Sequence, residues 1–403
     1  MSYQFVQTPE PLQLAQSPVV FSVESSQYVS NPQFMYVGEL EIWTGSFSNS
    51  SSAELWTLSK YPSSEGLAGI FDCSRIINST QTELVQQNAS PIKNYKFTSY
   101  YRYWNGTQYV TGDPITSSVY QAADGYEIFP QQINAPIKNS TVTPYNYWPL
   151  MLDGPQSQSC FIENKGLGYV YMKAASSGDI TPTRIKYEDN LGNVAYYTNL
   201  TSSVVNSNNL VQTFPMYPTE TGFPNTIVPT SWYKITAVNN TTPVSSTLHF
   251  NVVCKQKYPN IRIKFKNRFG AFQYINMDMV NRKSFSTTKR TYQPQLGTWA
   301  GTTLSYNEYD SQTLNYIVDS TQRIVCNTNW LEEQWNEIIK QLLVSDEIYW
   351  CNEGEIPTYD STTWTVKPLT ITTQNVTFKT GVNDHLIQYA FEFDYGQGYK
   401  LII

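Results

Sequence analysis

Short apolar stretches recur along the whole chain, each of strand length and each bounded by Gly, Pro, Asn or Ser. Val19 to Val23, Met35 to Trp43, Leu55 to Leu58, Tyr100 to Trp104, Tyr126 to Phe129, Tyr169 to Met172 and Val194 to Tyr197 all fit this description. Between them lie turn signals such as Trp104-Asn105-Gly106, Ala123-Asp124-Gly125 and Asn190-Leu191-Gly192-Asn193, whose Asn, Asp and Gly accept left-handed backbone angles. Many short strands punctuated by turns favour sandwiches or open barrels. The residue types agree. Tyr (31), Phe (18) and Trp (10) suit a pleated, half-buried surface, and with only 14 % charged residues the outer faces must draw their polarity from Ser, Thr, Asn and Gln.

A chain of 403 residues is long enough for several domains, each with its own core. The proline- and aromatic-rich stretch Pro144 to Pro155 ends a first β-module, read as 1–155, whose Pro9, Pro11 and Pro18 suggest an extended N-terminal arm able to cross to a neighbour. A Ser/Asn-rich stretch from Thr201 to Asn209, followed by Phe214 to Pro229, reads as a long loop in a middle β-module, 156–250. The remainder, 251–403, contains a helix pattern. From Asn329 to Val344, Leu331, Trp335, Ile338 and Leu342 fall on one face, joined by Ile339 and Leu343. Asn329 and Glu332 are spaced as a capping box, with Glu333 and Glu337 in the N-terminal half and Lys340 near the other end. Strand candidates at Asp346 to Trp350, Thr363 to Thr373, Val376 to Lys379 and Ile387 to Phe393 would pack against it. The fold class is therefore mainly β: tandem β-sandwich modules with a C-terminal α+β domain containing one amphipathic helix.

The net charge of −6 gives no global attraction to nucleic acid. Locally, Lys255, Lys257, Arg262, Lys264, Lys266 and Arg268 alternate with Ile261, Ile263, Phe265 and Phe269, which places basic and apolar side chains on opposite faces of a strand. The basic face is either solvated or meets an acidic partner or DNA.

Catalytic and metal motifs are sparse. His249 alternates within a strand pattern and His385 follows Asn383-Asp384 in a turn; neither has a nucleophile motif nearby. Cys73, Cys160, Cys254, Cys326 and Cys351 are scattered, which disfavours a zinc site, and their odd number disfavours a full disulfide framework. They read as free thiols of a protein made in a reducing cytoplasm. Gly66-Leu67-Ala68-Gly69 is a turn rather than a phosphate loop. No metal, cofactor or catalytic residue is expected, and the chain reads as a non-enzyme. Met1 to Pro18 lacks the basic and apolar segments of a secretory signal, and no apolar run is long enough for a membrane helix. The Asn-X-Ser/Thr triplets at Asn78, Asn105, Asn199, Asn240 and Asn375 then follow from an abundance of Asn, Ser and Thr. Tyr100, Tyr101, Tyr103 and Trp104, like Tyr145, Tyr147 and Trp148, read as aromatic strand positions, with a sugar-stacking platform as the other reading.

The segment Lys266-Asn267-Arg268-Phe269-Gly270-Ala271-Phe272-Gln273-Tyr274 has the sense of a strand that turns at Gly270 and re-enters its sheet with alternating aromatics, Arg268 being held at the turn. It resembles an Asn-Arg-aromatic-Gly-Gly/Ala-aromatic-x-aromatic signature of virion proteins from crAss-like and related tailed phages of Bacteroidetes hosts. Leu342-Leu343-Val344-Ser345-Asp346-Glu347-Ile348-Tyr349 is similar to a phrase near the end of such chains. Ser17-Pro18-Val19-Val20-Phe21 and Ala68-Gly69-Ile70-Phe71-Asp72-Cys73-Ser74-Arg75-Ile76 look like their first β-module. The resemblance implies a structural subunit of the tail, neck ring or baseplate, located in the virion. Its partners would be other virion proteins and further copies in a ring, with no membrane partner. Lys264, Lys266, Asn267, Arg268, Phe269, Gly270, Tyr274 and Trp335 are the interface or structural candidates. The alternative is a receptor- or carbohydrate-binding tail protein whose partner is a host glycan.

Overall fold

A computed structural model describes residues 3–31, 33–44, 47, 50, 52–64, 67–79, 92–127, 150–152, 154–155, 157–161, 169–173, 184–198, 211–217, 229–253, 257–295, 297–309, 311–351, 366–378, 386–396 and 400–402. The fold is mainly β, built from several sheets, and the strand pairings fall into three stretches of chain that share no strand among these residues.

In the first stretch a three-stranded sheet, ordered Gln4–Gln7, Val20–Glu24, Gly69–Asp72, shares a core with a larger one. The larger sheet runs Leu12–Leu14, Tyr120–Ala123, Ile92–Trp104, Met35–Thr44, Glu54–Lys60. Inward aromatics fill the sandwich: Phe21 stacks on Phe97 with centroids 4.5 Å apart, and Phe71, Tyr36 and Tyr95 close around them. Such offset and edge-on ring contacts add stability beyond the area buried. The N-terminal segment is extended, as its prolines suggest, but it does not leave the module. Gln4–Gln7 pairs with Val20–Glu24, and Leu12–Leu14 lies parallel to Tyr120–Ala123, because Leu12 and Leu14 bury their side chains there.

The middle stretch has a sheet ordered Ser157–Phe161, Leu248–Val253, Trp232–Asn239, Arg184–Asp189, Val194–Tyr197, and a two-stranded sheet of Tyr169–Lys173 with Val211–Pro215. Alternation puts Tyr187, Tyr233, Ile235 and Phe250 inside, where Tyr187 Oη donates to Pro215 O at 2.5 Å and Tyr233 Oη to Met216 O at 2.8 Å. The turn at Asn190 to Asn193 forms as its residues suggest, with Gly192 at φ +81° and the Asp189 carboxylate accepting the backbone N–H groups of Leu191 and Asn193.

The third stretch is an antiparallel sheet ordered Phe272–Met277, Ile261–Lys266, Ile348–Cys351, Val366–Ile371, Ala390–Tyr395, Leu314–Asn327, Arg282–Tyr292. One face carries the helix Asn336–Val344, whose Ile338, Ile339 and Leu342 are fully buried against Ile263, Phe265, Phe391 and Phe393. The helix is shorter than its periodicity suggests. Leu331 bridges to Ile387 as a strand, and Glu333–Trp335 is a 3-10 turn. This tertiary pairing uses the residues of the expected first turn, so Asn329 does not cap the helix and instead donates from its backbone and amide nitrogens to Asp278. Trp335 is half-buried against the helix core. Two expected strands are not formed over their described parts, 126–127 and 376–378. Tyr145, Tyr147, Trp148, Lys255, His385 and the loop 201–209 lie outside the described residues.

Candidate functional site

The strand Ile261–Lys266 sorts its side chains by period two, apolar toward the helix and basic toward the opposite face. The basic face is nevertheless neither solvated nor turned to another chain, since all six residues are buried. The first and middle stretches of the same chain cover it. Arg262 lies over the Tyr274 ring at 4.7 Å with Nη2 3.4 Å from Met216 Sδ, and Tyr274 itself belongs to the middle core. Lys264, 2 % exposed, sits 4.0 Å from the Phe272 ring centroid, and burial lowers its pKa.

Lys266 is held by three carboxylates. Its Nζ lies 2.9 Å from Asp124, 2.8 Å from Asp346 and 3.1 Å from Glu347. Burial disfavours the ammonium, but Asp124 and its neighbours outweigh that and raise the pKa. These three acids form the one group with metal-ligand spacing among the described residues, their oxygens within 4.8 Å of one another. The lysine ammonium stands among them, so the arrangement works as an internal ion cluster.

The next five residues close a tight turn. Asn267 Oδ1 accepts from the backbone N–H groups of Phe269 and Ala271 at 3.0 and 3.1 Å, while Asn267 Nδ2 donates to Met151 O at 2.9 Å and to Gln273. Gly270 has φ +74°, and a Cβ there would lie 2.7 Å from the Asp124 backbone nitrogen; one on Gly125 would lie 2.1 Å from Arg268 O. Both glycines are therefore required by the close approach of two backbones. Tyr126 N donates to Arg268 O at 2.8 Å, and Arg268 N donates to Gln341 Oε1 on the helix at 3.0 Å. The Arg268 guanidinium lies over Phe269 and 3.9 Å from Glu127. Phe269 and Phe272 join Leu12, Leu14, Ile92 and Met151 in a separate apolar cluster. Seven of the eight residues singled out from sequence thus come together as a joint within one chain; Trp335 stands apart, on the helix side of the sheet.

On the exposed face of the middle sheet, Ser157, His249, Lys234 and Glu188 occupy successive strands in one cross-strand row. Ser157 Oγ is 3.4 Å from His249 Nδ1. Burial lowers the His249 pKa, and Lys234 lowers it further. A serine triad needs a carboxylate orienting the imidazole; the strand neighbour of His249 on its other side is a lysine. Thr236, Thr247 and Lys186 also line the open groove of about 600 Å³ here, with Val238, Thr241 and Pro243.

The most exposed element was not legible as such in the sequence. Arg282–Tyr292 pairs with Leu314–Asn327 to form a long ribbon at the edge of the sheet, Leu314–Asn327 being paired on its other side with Ala390–Tyr395 and Lys400–Ile402, and every residue of Arg282–Tyr292 is exposed. Eleven residues at about 3.3 Å each span roughly 36 Å. A small hairpin, Thr298–Ala300 with Thr303–Ser305, sits between the two strands of the ribbon, followed by Tyr306 and Tyr309, 73 % and 84 % exposed. Basic residues at 282, 283, 289 and 290, interleaved with Ser and Thr, are the only hint of a strand that is wet on both faces.

No helix among the described residues is long and apolar enough to cross a membrane. No family model matches the sequence, and no curated protein matches it. Among solved structures, the chain is matched to a crystal structure of a Salmonella alpha-2-macroglobulin mutant at 10 % identity and a TM-score of 0.19, over 99 % of this chain and 31 % of that one. The chain thus spans about a third of the length of that protein, and the likeness is too slight to bear on the fold or the function.

Proposed function

We propose that the chain is a structural subunit of a tailed-phage particle, part of the tail, neck ring or baseplate, that assembles into a ring through β-rich contacts. The exposed ribbon Arg282–Tyr292 with Leu314–Asn327 carries this reading. Arg282–Tyr292 is the last strand of its sheet among the described residues and is exposed along its whole length, and an exposed edge strand of this length is a template for pairing with another chain. The body behind it suits the same role, because the joint at Lys266 to Ala271 ties the C-terminal sheet to the first module.

The mass and symmetry of the purified full-length protein, from light scattering with negative-stain imaging, test this directly. Closed rings are expected, and replacing residues 286–321 by Asn-Gly, which joins the cross-strand partners Phe285 and Gln322 by a two-residue turn, should leave a folded monomer. Rings that persist in the shortened chain would overturn the assignment of assembly to the ribbon. A second reading, a host-glycan-binding tail protein, draws on the hydroxyl-lined groove at Ser157, Thr236 and Thr247. Protection of that groove by an oligosaccharide in hydrogen exchange, with no self-assembly, would favour it.

A further inference from the structure

The groove on the middle sheet gathers charge, hydroxyls and a small apolar wall on one side of one sheet. Period two puts Lys186 and Glu188 of one strand, Lys234 and Thr236 of the next and His249 of the third on the same side. Lys186 Nζ lies 2.5 Å from Glu188 Oε2, so those two charges offset each other. Lys234 is exposed and has no carboxylate partner among the described residues; its ammonium lies 4.9 Å from the Trp232 ring centroid. Lys186 and Lys234 against Glu188 leave the groove lining a net +1, on a chain whose total is −6. Around that charge stand hydroxyls: Ser157 Oγ is 3.4 Å from His249 Nδ1, and the Thr236 and Thr247 hydroxyls are 2.9 Å apart. A hydroxyl has one donor and two acceptor sites, so each keeps capacity for a further partner. Val238 and Pro243 supply the apolar part.

Resting on the glycan-binding reading above, we propose that this groove takes an acidic saccharide, whose carboxylate meets Lys234 and whose ring hydroxyls meet Ser157, Thr236 and Thr247. A volume of about 600 Å³ suits a small ligand, and an apolar wall with a few convergent polar groups is the usual make-up of such a site. A neutral sugar would use the hydroxyls and leave Lys234 in water. A carboxylate adds a charge-assisted contact, the stronger kind of hydrogen bond. His249 reports the same event. Burial and then Lys234 lower its pKa. The charged groups near it on this face are Lys234 on the adjacent strand and, one strand further, the ion pair of Lys186 with Glu188, while uncharged Ser157 stands on its other side. An anion at Lys234 offsets the repulsion between ammonium and imidazolium and lets the imidazole take up its proton at higher pH.

The test uses the full-length chain and trisaccharides of galacturonate and of mannuronate, each beside its carboxyl-reduced, neutral counterpart. By calorimetry the acidic form should bind about tenfold more tightly than the neutral one. Lys234→Gln, at an exposed position, should remove that difference, and Lys289→Gln on the C-terminal sheet should not. In NMR the His249 imidazole should titrate at higher pH with the acidic sugar bound and stay where it was with the neutral one. Equal affinity for both forms, or an equal loss in Lys289→Gln, would overturn the acidic ligand and leave the glycan reading in place. Affinity for single-stranded oligothymidylate equal to that for the acidic sugar would show attraction by charge alone and overturn it too. A chain that binds none of the sugars would overturn both.

Discussion

Replacing Lys266 by Met keeps most of the buried stem and removes only the ammonium, leaving Asp124, Asp346 and Glu347 to face one another. The Lys266 side chain is 3 % exposed and that of Asp124 11 %, so this pair is the buried one; Asp346, at 60 %, is screened by water and adds little. Removing one partner of a buried pair costs about 3–5 kcal/mol. With the partly exposed acids free to turn toward solvent, the lower end, about 3 kcal/mol, is expected. At a guanidinium slope of about 4 kcal/mol/M this moves the midpoint by about 0.75 M. Because the cluster links the first sandwich to the C-terminal sheet, a split of the unfolding curve followed by Trp fluorescence is expected as well. The folded pKa of Lys266 is raised, so its stabilisation is complete below the unfolded value near 10.4 and is lost as pH climbs through the folded one. The difference between parent and variant should therefore be flat from neutral pH to about pH 10 and shrink above it. A K266M variant within about 0.5 kcal/mol of the parent at pH 7 would refute the view of Lys266 as the clamp.

Gly270→Ala forces a Cβ against the Asp124 backbone at a positive φ and should lower stability by more than about 2 kcal/mol, measured by the same denaturation; a neutral effect would contradict the close approach. Leu342→Ala on the helix should cost about 2–5 kcal/mol, and a loss under 1 kcal/mol would mean the helix is loosely seated. Cys326, raised to about 12 by burial, and Cys73, raised to about 12 by burial and then by Asp72, should resist alkylation at pH 8 in the native protein and react on unfolding, as read by peptide-mapped labelling. The His249 imidazole should titrate below 6.5 by NMR and move upward in Lys234→Gln; because the unfolded chain binds this proton first, stability should fall as pH drops below that value.

The β-rich fold was legible because strand-length apolar runs and turn residues are local signals. The faces of Ile261–Lys266 were legible too, since alternation fixes which side chains share a side. What covers a polar face is not a local property: Asp124 lies 142 residues from Lys266, and nothing in either neighbourhood records the other. The same limit explains Leu331, which fits a helical repeat but is taken by a bridge to Ile387. The helix Ser74–Ser79 was missed because six residues give no readable period; its signal was Asp72, whose carboxylate accepts the Ser74 N–H. The ribbon escaped notice because Arg282–Tyr292 has no apolar face, and sequence patterns find strands by the face they bury.

The joint also sets an order of events during synthesis. The described strands of the first sandwich all come from residues 4–123 and can pair as soon as they have emerged, whereas Lys266 follows Asp124 by 142 residues. At about 5–20 residues per second that interval is roughly 7–28 s. Throughout it Asp124 and Gly125 wait with their lysine and their glycine turn still unmade, and Asp346 and Glu347 arrive later again. The C-terminal sheet is therefore fully fastened to the body only after Asp346 and Glu347 have followed Lys266, so the exposed strand Arg282–Tyr292 emerges before the ion cluster that anchors its sheet is complete.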